Sequence, residues 1–263
     1  MTIITLGPEG TFSHELAMKM GCSSIRFVPT IHSIITEVAR GEGDGIAPIE
    51  NSEAGGVGET LDGLSRYPVY ITAEMYMPIH HHLAAQVPME QIEVIYAHPQ
   101  THEQCSSLLE SWQIPVMHTS SNAASALECK KNRNSGAIIP ALAASVYQVS
   151  IILRHVENNH ANTTRFVRLS RTPCSSAPAE KCSILIDPST DRAGLLHDLL
   201  NIFAQRKINL TRIESRPSKR GIGNYVFFLD FACTPDAQEA LKELKTLATV
   251  KELGCYRKIG VPP

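Results

Sequence analysis

Long apolar runs are missing from this 263-residue chain, and with them any segment able to cross a bilayer as a helix. A surplus of one charge is missing too: 24 Lys and Arg stand against 26 Asp and Glu, a formal net charge of −2. That removes the global attraction of a nucleic-acid or anionic-membrane binder, and no basic run supplies a local one. The start, "MTIITLGPEG", has neither a positive region nor a cleavable apolar stretch, so it does not read as a signal peptide. Cysteine occurs seven times, at 22, 105, 129, 174, 182, 233 and 255, without a CxxC pair. A disulfide framework and a zinc site are therefore not expected; reduced thiols in a cytoplasmic protein fit better. The run "HHH" at 80–82 hints at metal, yet neighbours on a strand face opposite ways and make a poor chelate by themselves. An exposed or pocket-edge cluster is the plainer account, and no metal is expected.

What is present is a soluble globular composition, 43% hydrophobic and 19% charged. From Met1 to about Ser170, short apolar runs alternate with helix-length segments. "TIITL" reads as a strand, and Ser13 suits the N-cap of "HELAMKMG". "SIRFVP" is a strand, "IHSIITEVARG" a helix closing on Gly41, and "GIAPIEN" a strand entering a polar loop. This β-α-β-α-β order predicts an α/β fold with a mostly parallel sheet and helices on both faces. The alternation continues through "QIEVIYAHP", the helix "QTHEQCSSLLESW", "IPVMHTSS", a helix from about Ala123 to Lys131, and "SGAIIP". Ligands of such sheets sit at the carboxyl ends of the strands, where the next helices present their N-termini.

The composition changes at "SRTPCSSAPAEK", whose Ser, Pro and Ala mark a linker. The expected units are 1–170, a linker 171–181, and 182–263. The second unit reads as strand, helix, strand, the turn "SKRGIGN", strand, a helix opening at Thr234, and a last strand near Val250–Tyr256. That order is the ferredoxin-like βαββαβ plait. A plait leaves one sheet face bare, so a homodimer or homotetramer is expected.

Four polar clusters of the first unit fall where strands end or helices begin: "GPEGTFSHE", "PIENSEAGGVGETLDG", "AHPQTHEQC" and "NTTRF". Singly each is an ordinary cap or turn; together they raise the case for a small-anion site. Read as strand, 164, 166 and 168 share one face and 165, 167 and 169 the other. Thr164 then points with Phe166 into one space, while Arg165 points away into a structural ion pair. Thr163 reads as a turn hydroxyl.

In order along the chain, these segments resemble the prephenate dehydratase family, known by GPxGTFS, PIENSxxGxVxxTLD, a His-Pro-Gln segment ending in QC, and TRF. "INLTRIESRPSK" (208–219) is similar to the ESRP segment of that family's C-terminal ACT domain. The resemblance implies a two-lobed catalytic domain resembling type II periplasmic binding proteins, with its second lobe roughly at 76–155, followed by the ACT domain. It implies conversion of prephenate to phenylpyruvate, CO2 and water in phenylalanine biosynthesis, without cofactor or metal. It also implies feedback inhibition by L-phenylalanine bound between two ACT domains.

Aromatisation of the ring supplies much of the driving force, so the protein has mainly to orient prephenate and protonate the departing oxygen. A tight cation on the departing ring carboxylate would favour the ground state over the transition state. Hydroxyl and backbone donors are therefore expected there, with Thr11, Ser13, Asn51 and Ser52 as suitable groups. The resemblance assigns catalysis to Thr164, with Phe166 as an apolar wall and Gln104 orienting substrate. Glu50, if buried enough to hold a proton, is the candidate ultimate acid. For the effector, the resemblance points to Gly194, Leu195, Asn209, Glu214, Ser215, Arg216 and Pro217.

Three segments depart from the family pattern. Ala97 stands where serine is usual, "HVENNHA" replaces an Asn-Ile-Gln-Asp-like stretch, and "RAGLL" (192–196) replaces Pro-Gly-Ala-Leu. Ala97 keeps arogenate dehydratase open as an alternative. A decarboxylase that retains the hydroxyl is disfavoured by Thr164, and a non-catalytic amino-acid sensor by "NTTRF" and "PIENS" together.

Overall fold

A computed structural model of the chain describes residues 2–174, 178–188, 192–221 and 223–262. Part of the expected linker, 175–177, and Ile222 of the expected turn lie outside the described residues. The chain opens with β1 (Thr2–Leu6), α1 (Phe12–Lys19), β2 (Ser24–Val28), α2 (Ile31–Arg40) and β3 (Asp44–Asn51). A two-residue β4 (Gly55–Gly56), α3 (Gly58–Arg66) and β5 (Tyr70–Pro78) complete this part of the first lobe. The second lobe runs through β6 (His82–Ala85), β7 (Val94–Ala97), α4 (Pro99–Gln104), α5 (Ser106–Trp112) and β8 (Val116–His118). It ends with α6 (Asn122–Lys131), β9 (Ser135–Ile139), α7 (Ala141–Tyr147) and β10 (Ser150–Leu153). The chain then returns to the first lobe as β11 (Thr163–Ser170).

Local signals explain most of these elements. In α2 the side chain of Thr30 accepts from Ser33 N at 3.0 Å, Gly41 closes the helix in the left-handed region, and Ile31, Ile34, Ile35 and Val38 are buried. The segment expected as one helix over "QTHEQCSSLLESW" is broken at Cys105 into α4 and α5. Helix α1 is capped by Thr11 rather than Ser13, which lies within the first turn. Strands β1, β2 and β3 pair in parallel, as the alternation predicts, but β11 inserts antiparallel between β3 and β5. That reversal follows from the topology, because the chain leaves the lobe along β5 and must come back beside it. The second lobe has its own five-stranded sheet, β10-β6-β9-β7-β8. The two crossings, 79–81 and 154–162, lie side by side: Ile79 N donates to Asn162 O at 2.9 Å and Val156 N to His81 O at 3.0 Å.

The C-terminal unit is β12 (Lys181–Asp187), α8 (Leu195–Gln205), β13 (Leu210–Pro217), β14 (Tyr225–Ala232), α9 (Ala237–Leu247) and β15 (Thr249–Lys258). Its order β13-β14-β12-β15 with antiparallel pairing is the ferredoxin-like plait. One face packs Ile184, Ile186, Leu229 and Phe231 on Leu199, Phe203, Leu241 and Leu244 of the two helices.

Two expectations fail here. The opposite face of the plait is not bare: Leu185, Val226, Phe228, Leu253 and Tyr256 join one core with Ile49, Leu61, Val69 and Ile71 of the first lobe. Burying large apolar side chains of this kind is worth roughly 1.5–3 kcal/mol each, so the chain covers its own plait without a second copy. The sheets also meet directly, with Arg257 and Lys258 of β15 paired in parallel to Ala73 and Glu74 of β5. The second failure concerns thiols. Cys182 and Cys255 are direct partners across β12 and β15 and form a disulfide, 73 residues apart in sequence. No local spacing announces such a pair; the plait creates it by setting its first and last strands together.

Candidate active site

The carboxyl ends of β1 and β3, the entry of β11 and the N-terminal ends of α1, α4 and α6 surround one cavity between the lobes, about 420 Å³. Lobe one supplies Thr11, Phe12, Ser13, Asn51, Thr164 and Phe166; lobe two supplies His98, Gln100, Thr101, Gln104 and Asn122. Ile79 and His81 of the first crossing form its back. No Lys or Arg is among the described lining residues. Any charge complementarity to an anion must therefore come from hydroxyls, amides and helix N-termini.

Alternation along β11 divides its residues as the sequence predicts. Thr164 and Phe166 line the cavity, while Arg165 turns to the other face. Asn51 Nδ2 donates to Thr164 Oγ1 at 3.0 Å and to Asn162 Oδ1 at 2.7 Å. The amide is locked the other way round as well, since Asn51 Oδ1 accepts from Glu53 N at 3.0 Å and Ala54 N at 2.9 Å. Thr164 thus receives a hydrogen bond on its oxygen. Among the described residues, no protein group accepts its hydrogen. A hydroxyl in that state is polarised toward donating into the cavity.

The other expected groups separate. Thr11 lines the cavity, but its hydroxyl donates to Leu6 O at 3.0 Å and accepts from His14 N at 3.2 Å, the work of a cap. Ser13 is buried and makes no such bond within the described protein. Asn51 lines the cavity with its amide engaged internally. Ser52 is outside the lining; its hydroxyl accepts from Thr163 N at 3.0 Å and steadies the start of β11. Gln104 lines the cavity and accepts from His81 Nε2 at 3.0 Å through Oε1, and its amide nitrogen has no hydrogen-bond partner among the described residues.

Glu50 is not in the cavity. It stands opposite Arg165 on the outer side of β3, 39% exposed, 3.3 Å from Arg165 and 3.6 Å from Arg212. The period of two that sends Asn51 inward sends Glu50 outward, so the expected acid is a partner of the structural arginine instead. Arg165 is buried and bonds Glu74 at 2.8 Å, Asp230 at 2.6 Å and the Tyr256 hydroxyl at 2.9 Å, confirming its ion-pair role.

Three residues of the site were not singled out by sequence. Asn162 stands in the quoted "NTTRF" cluster and holds Asn51; its Nδ2 is buried without a partner. His81 is 1% exposed rather than a surface histidine, and its Nδ1 is likewise unpartnered. Burial lowers its pKa, against the opposing effect of Gln104, so the ring is neutral near pH 7. His98 is also lowered, by burial and then by His118, and its Nδ1 caps α4 by accepting from Gln100 N at 3.3 Å. The signal for His98 was its place before Pro99 at a helix start; nothing local distinguished His81 from its two neighbours. Ala97, the departure from the family pattern, is fully buried at the end of β7 and outside the cavity lining.

In the plait, Gly194 is exposed at the mouth of α8 and Leu195 is buried behind it. Asn209 is exposed just before β13. Along β13, Glu214 and Arg216 face the first lobe, while Ser215 and Pro217 face outward. A Cβ on Gly56 would lie 2.1 Å from Glu214 Oε2, and one on Gly58 would lie 2.7 Å from Arg216 Nη2. Arg216 also reaches Asp62 at 3.4 Å. The segment expected to hold the effector therefore leans on the loop that follows Asn51.

Comparison with known proteins agrees with this geometry. Residues 3–174 match the family model for prephenate dehydratase, and residues 189–249 match that for the ACT domain. The chain is 35% identical to a bifunctional chorismate mutase/prephenate dehydratase of Pseudomonas aeruginosa, covering 98% of this chain and 73% of the relative. It is 32% identical to a prephenate dehydratase of Bacillus subtilis, covering 98% and 99% of the two. A crystal structure of prephenate dehydratase from Arthrobacter aurescens in complex with L-Phe superposes with a TM-score of 0.90. That protein is 28% identical, and the match covers 100% of this chain and 94% of the other.

Proposed function

The chain belongs to the prephenate dehydratase family, and on that premise we propose that its interlobe cavity converts prephenate to phenylpyruvate through the hydroxyl of Thr164. The carbon–carbon bond to the ring carboxylate breaks and releases CO2. Its electron pair enters the ring as the para carbon–oxygen bond breaks, and the departing oxygen takes up a proton and leaves as water. The observation that carries the reading is the hydrogen bond from Asn51 to Thr164, which orients a polarised hydroxyl into a cavity with no lysine or arginine among its described lining residues. Thr164 donates to the leaving oxygen, and Phe166 provides the apolar wall against the ring. Ser13, Gln104 and the helix N-termini hold the carboxylates, with Thr11 and Asn51 fixing the frame around them. Without a cation on the ring carboxylate, its departure is not opposed by ground-state binding.

The ACT domain is read as the receptor for L-phenylalanine. Gly194, Asn209, Ser215 and Pro217 form the outward side of the effector site, with Leu195 buried behind Gly194 as its floor, and a second copy completes it. Glu214 and Arg216 carry its occupancy inward to the loop after Asn51. The open edge strand β13, where Ile213 is 47% exposed, is the element through which copies would pair. Among the described residues no helix is long and apolar enough to cross a membrane. The cytoplasm is the compartment this reading assigns to the protein.

The test is direct. Purified protein supplied with prephenate should form phenylpyruvate, and added L-phenylalanine should suppress it. Turnover of arogenate in preference to prephenate would move the substrate assignment, and absence of both activities would overturn it.

A further inference from the structure

Glu157 lies on the second crossing between the lobes with its side chain only 1% exposed. Its Oε2 accepts from the backbone N–H of His81 at 2.9 Å. Its Oε1 is met by three imidazole nitrogens: His80 Nδ1 at 2.8 Å, His155 Nδ1 at 3.4 Å and His160 Nδ1 at 3.3 Å. Three imidazole nitrogens from two separate stretches of chain thus converge on one buried carboxylate oxygen.

A metal ion resolves that arrangement. A four-coordinate zinc ion with bonds of about 2.0–2.1 Å sets neighbouring ligand atoms about 3.3–3.4 Å apart. The His155 and His160 nitrogens stand at that separation from Oε1. The ligand atoms of His80, His155 and Glu157 all lie within 4.8 Å of one another. His160 is 68% exposed and so has freedom to turn onto a fourth position. The backbone is set in advance, because the bond from Val156 N to His81 O holds the two crossings side by side. His81 faces the cavity, which leaves its neighbour His80 on the Glu157 side. The donors come from residues that do not line the dehydratase cavity: His80 of the "HHH" run, whose neighbour His81 does line it, and the "HVENNHA" stretch with His160, where the chain departs from its family's pattern.

We infer that His80, His155 and Glu157, with His160 as the fourth ligand, bind one divalent transition-metal ion of the zinc class and so fasten the two crossings between the lobes. Imidazole nitrogen with one carboxylate oxygen suits Zn2+ and Co2+ and disfavours Mg2+ or Ca2+.

The full chain would be dialysed against Zn2+ and, separately, Co2+, whose visible spectrum reports a site of low coordination number. One equivalent should bind, and His155→Ala or His160→Ala should each weaken it by at least about tenfold, with the double variant losing it. Both side chains are largely exposed, so circular dichroism should show unchanged folding. Cys233→Ser serves as the control, since Cys233 is the free thiol of the other close group of potential ligands among the described residues, whose Cys182 and Cys255 are joined in a disulfide. Unchanged binding in that control supports the histidine site. Absence of saturable uptake at micromolar metal, undiminished binding in the double histidine variant, or loss in Cys233→Ser would each overturn it. The readout is bound metal, so its failure leaves the dehydratase reading untouched.

Discussion

Arg165 and Asp230 meet at 2.6 Å across the boundary between the catalytic unit and the ACT domain, with both side chains about 95% buried. Glu74, the Tyr256 hydroxyl and, at 3.3 Å, Glu50 complete the group around the guanidinium. Removing the cation alone would leave the buried Asp230 carboxylate without its ion-pair partner, while Glu74 keeps Lys181 at 2.8 Å. Arg165→Met should therefore lower unfolding free energy by about 3–5 kcal/mol in denaturant titration. A loss under about 1 kcal/mol, the range of exposed pairs, would mean that solvent reaches this group.

Thr164→Ala should lower kcat for phenylpyruvate formation by about 10²–10⁴-fold, the usual worth of a positioned proton donor, with an unchanged circular dichroism spectrum. Thr164→Ser keeps the hydroxyl and should retain much of the rate. If the alanine variant turns over at nearly the normal rate, the hydroxyl is not the donor.

Glu50→Gln gives the opposite expectation. The carboxylate lies behind β3 with Arg165 and Arg212, so kcat should fall far less than the about 10²-fold minimum expected of a general acid. Collapse of turnover with folding intact would restore Glu50 to the chemistry.

Gly56→Ala would drive a methyl group to 2.1 Å from Glu214 Oε2. The Glu214 carboxylate, the far end of a flexible side chain, must swing away from Arg212, at a cost of about 1 kcal/mol, the low end for overpacked contacts. The phenylalanine response should shift in parallel, because Glu214 leaves its place beside the loop. Glu214→Ala in the same chain should relieve most of the steric cost, a coupling that a double-mutant cycle reads directly. Additive losses would place the two residues out of contact.

Cys182 and Cys255 join the first and last strands of the plait. Cys255→Ser, or full reduction, should lower the stability of the ACT domain by about 2–4 kcal/mol. Alkylation of the unreduced, unfolded chain should leave these two cysteines unlabelled while Cys174 and Cys233 react. Labelling of all cysteines would show the pair to be reduced.

Much of this could be read from the sequence, because the relevant signals were local. The division of Thr164 and Phe166 from Arg165 needs only the pleat of a strand, and residue type located the start of α1 to within two residues, at Ser13 instead of Thr11. The same pleat sets Glu50 outward from Asn51, yet the attraction of a carboxylate as an acid outweighed it. His81 is concealed for a different reason: three identical residues in a row carry no sign of which one a tertiary contact will bury. The covered face of the plait and the Cys182–Cys255 pair depend on how distant segments dock, and no periodicity encodes that. Asn162, inside a cluster already marked as polar, shows the limit from the other side. Its partner Asn51 is 111 residues away.

The neighbours Thr164 and Arg165 also set a rule for how β11 can change. A strand slipped by one residue exchanges its two faces. Here that exchange would push a guanidinium into a cavity with no Lys or Arg among its described lining residues and leave a threonine among Glu74 and Asp230. An insertion or deletion within β11 that shifts its register is therefore opposed by both faces at once: the same slip that empties the Thr164 position unseats the contacts to the regulatory domain.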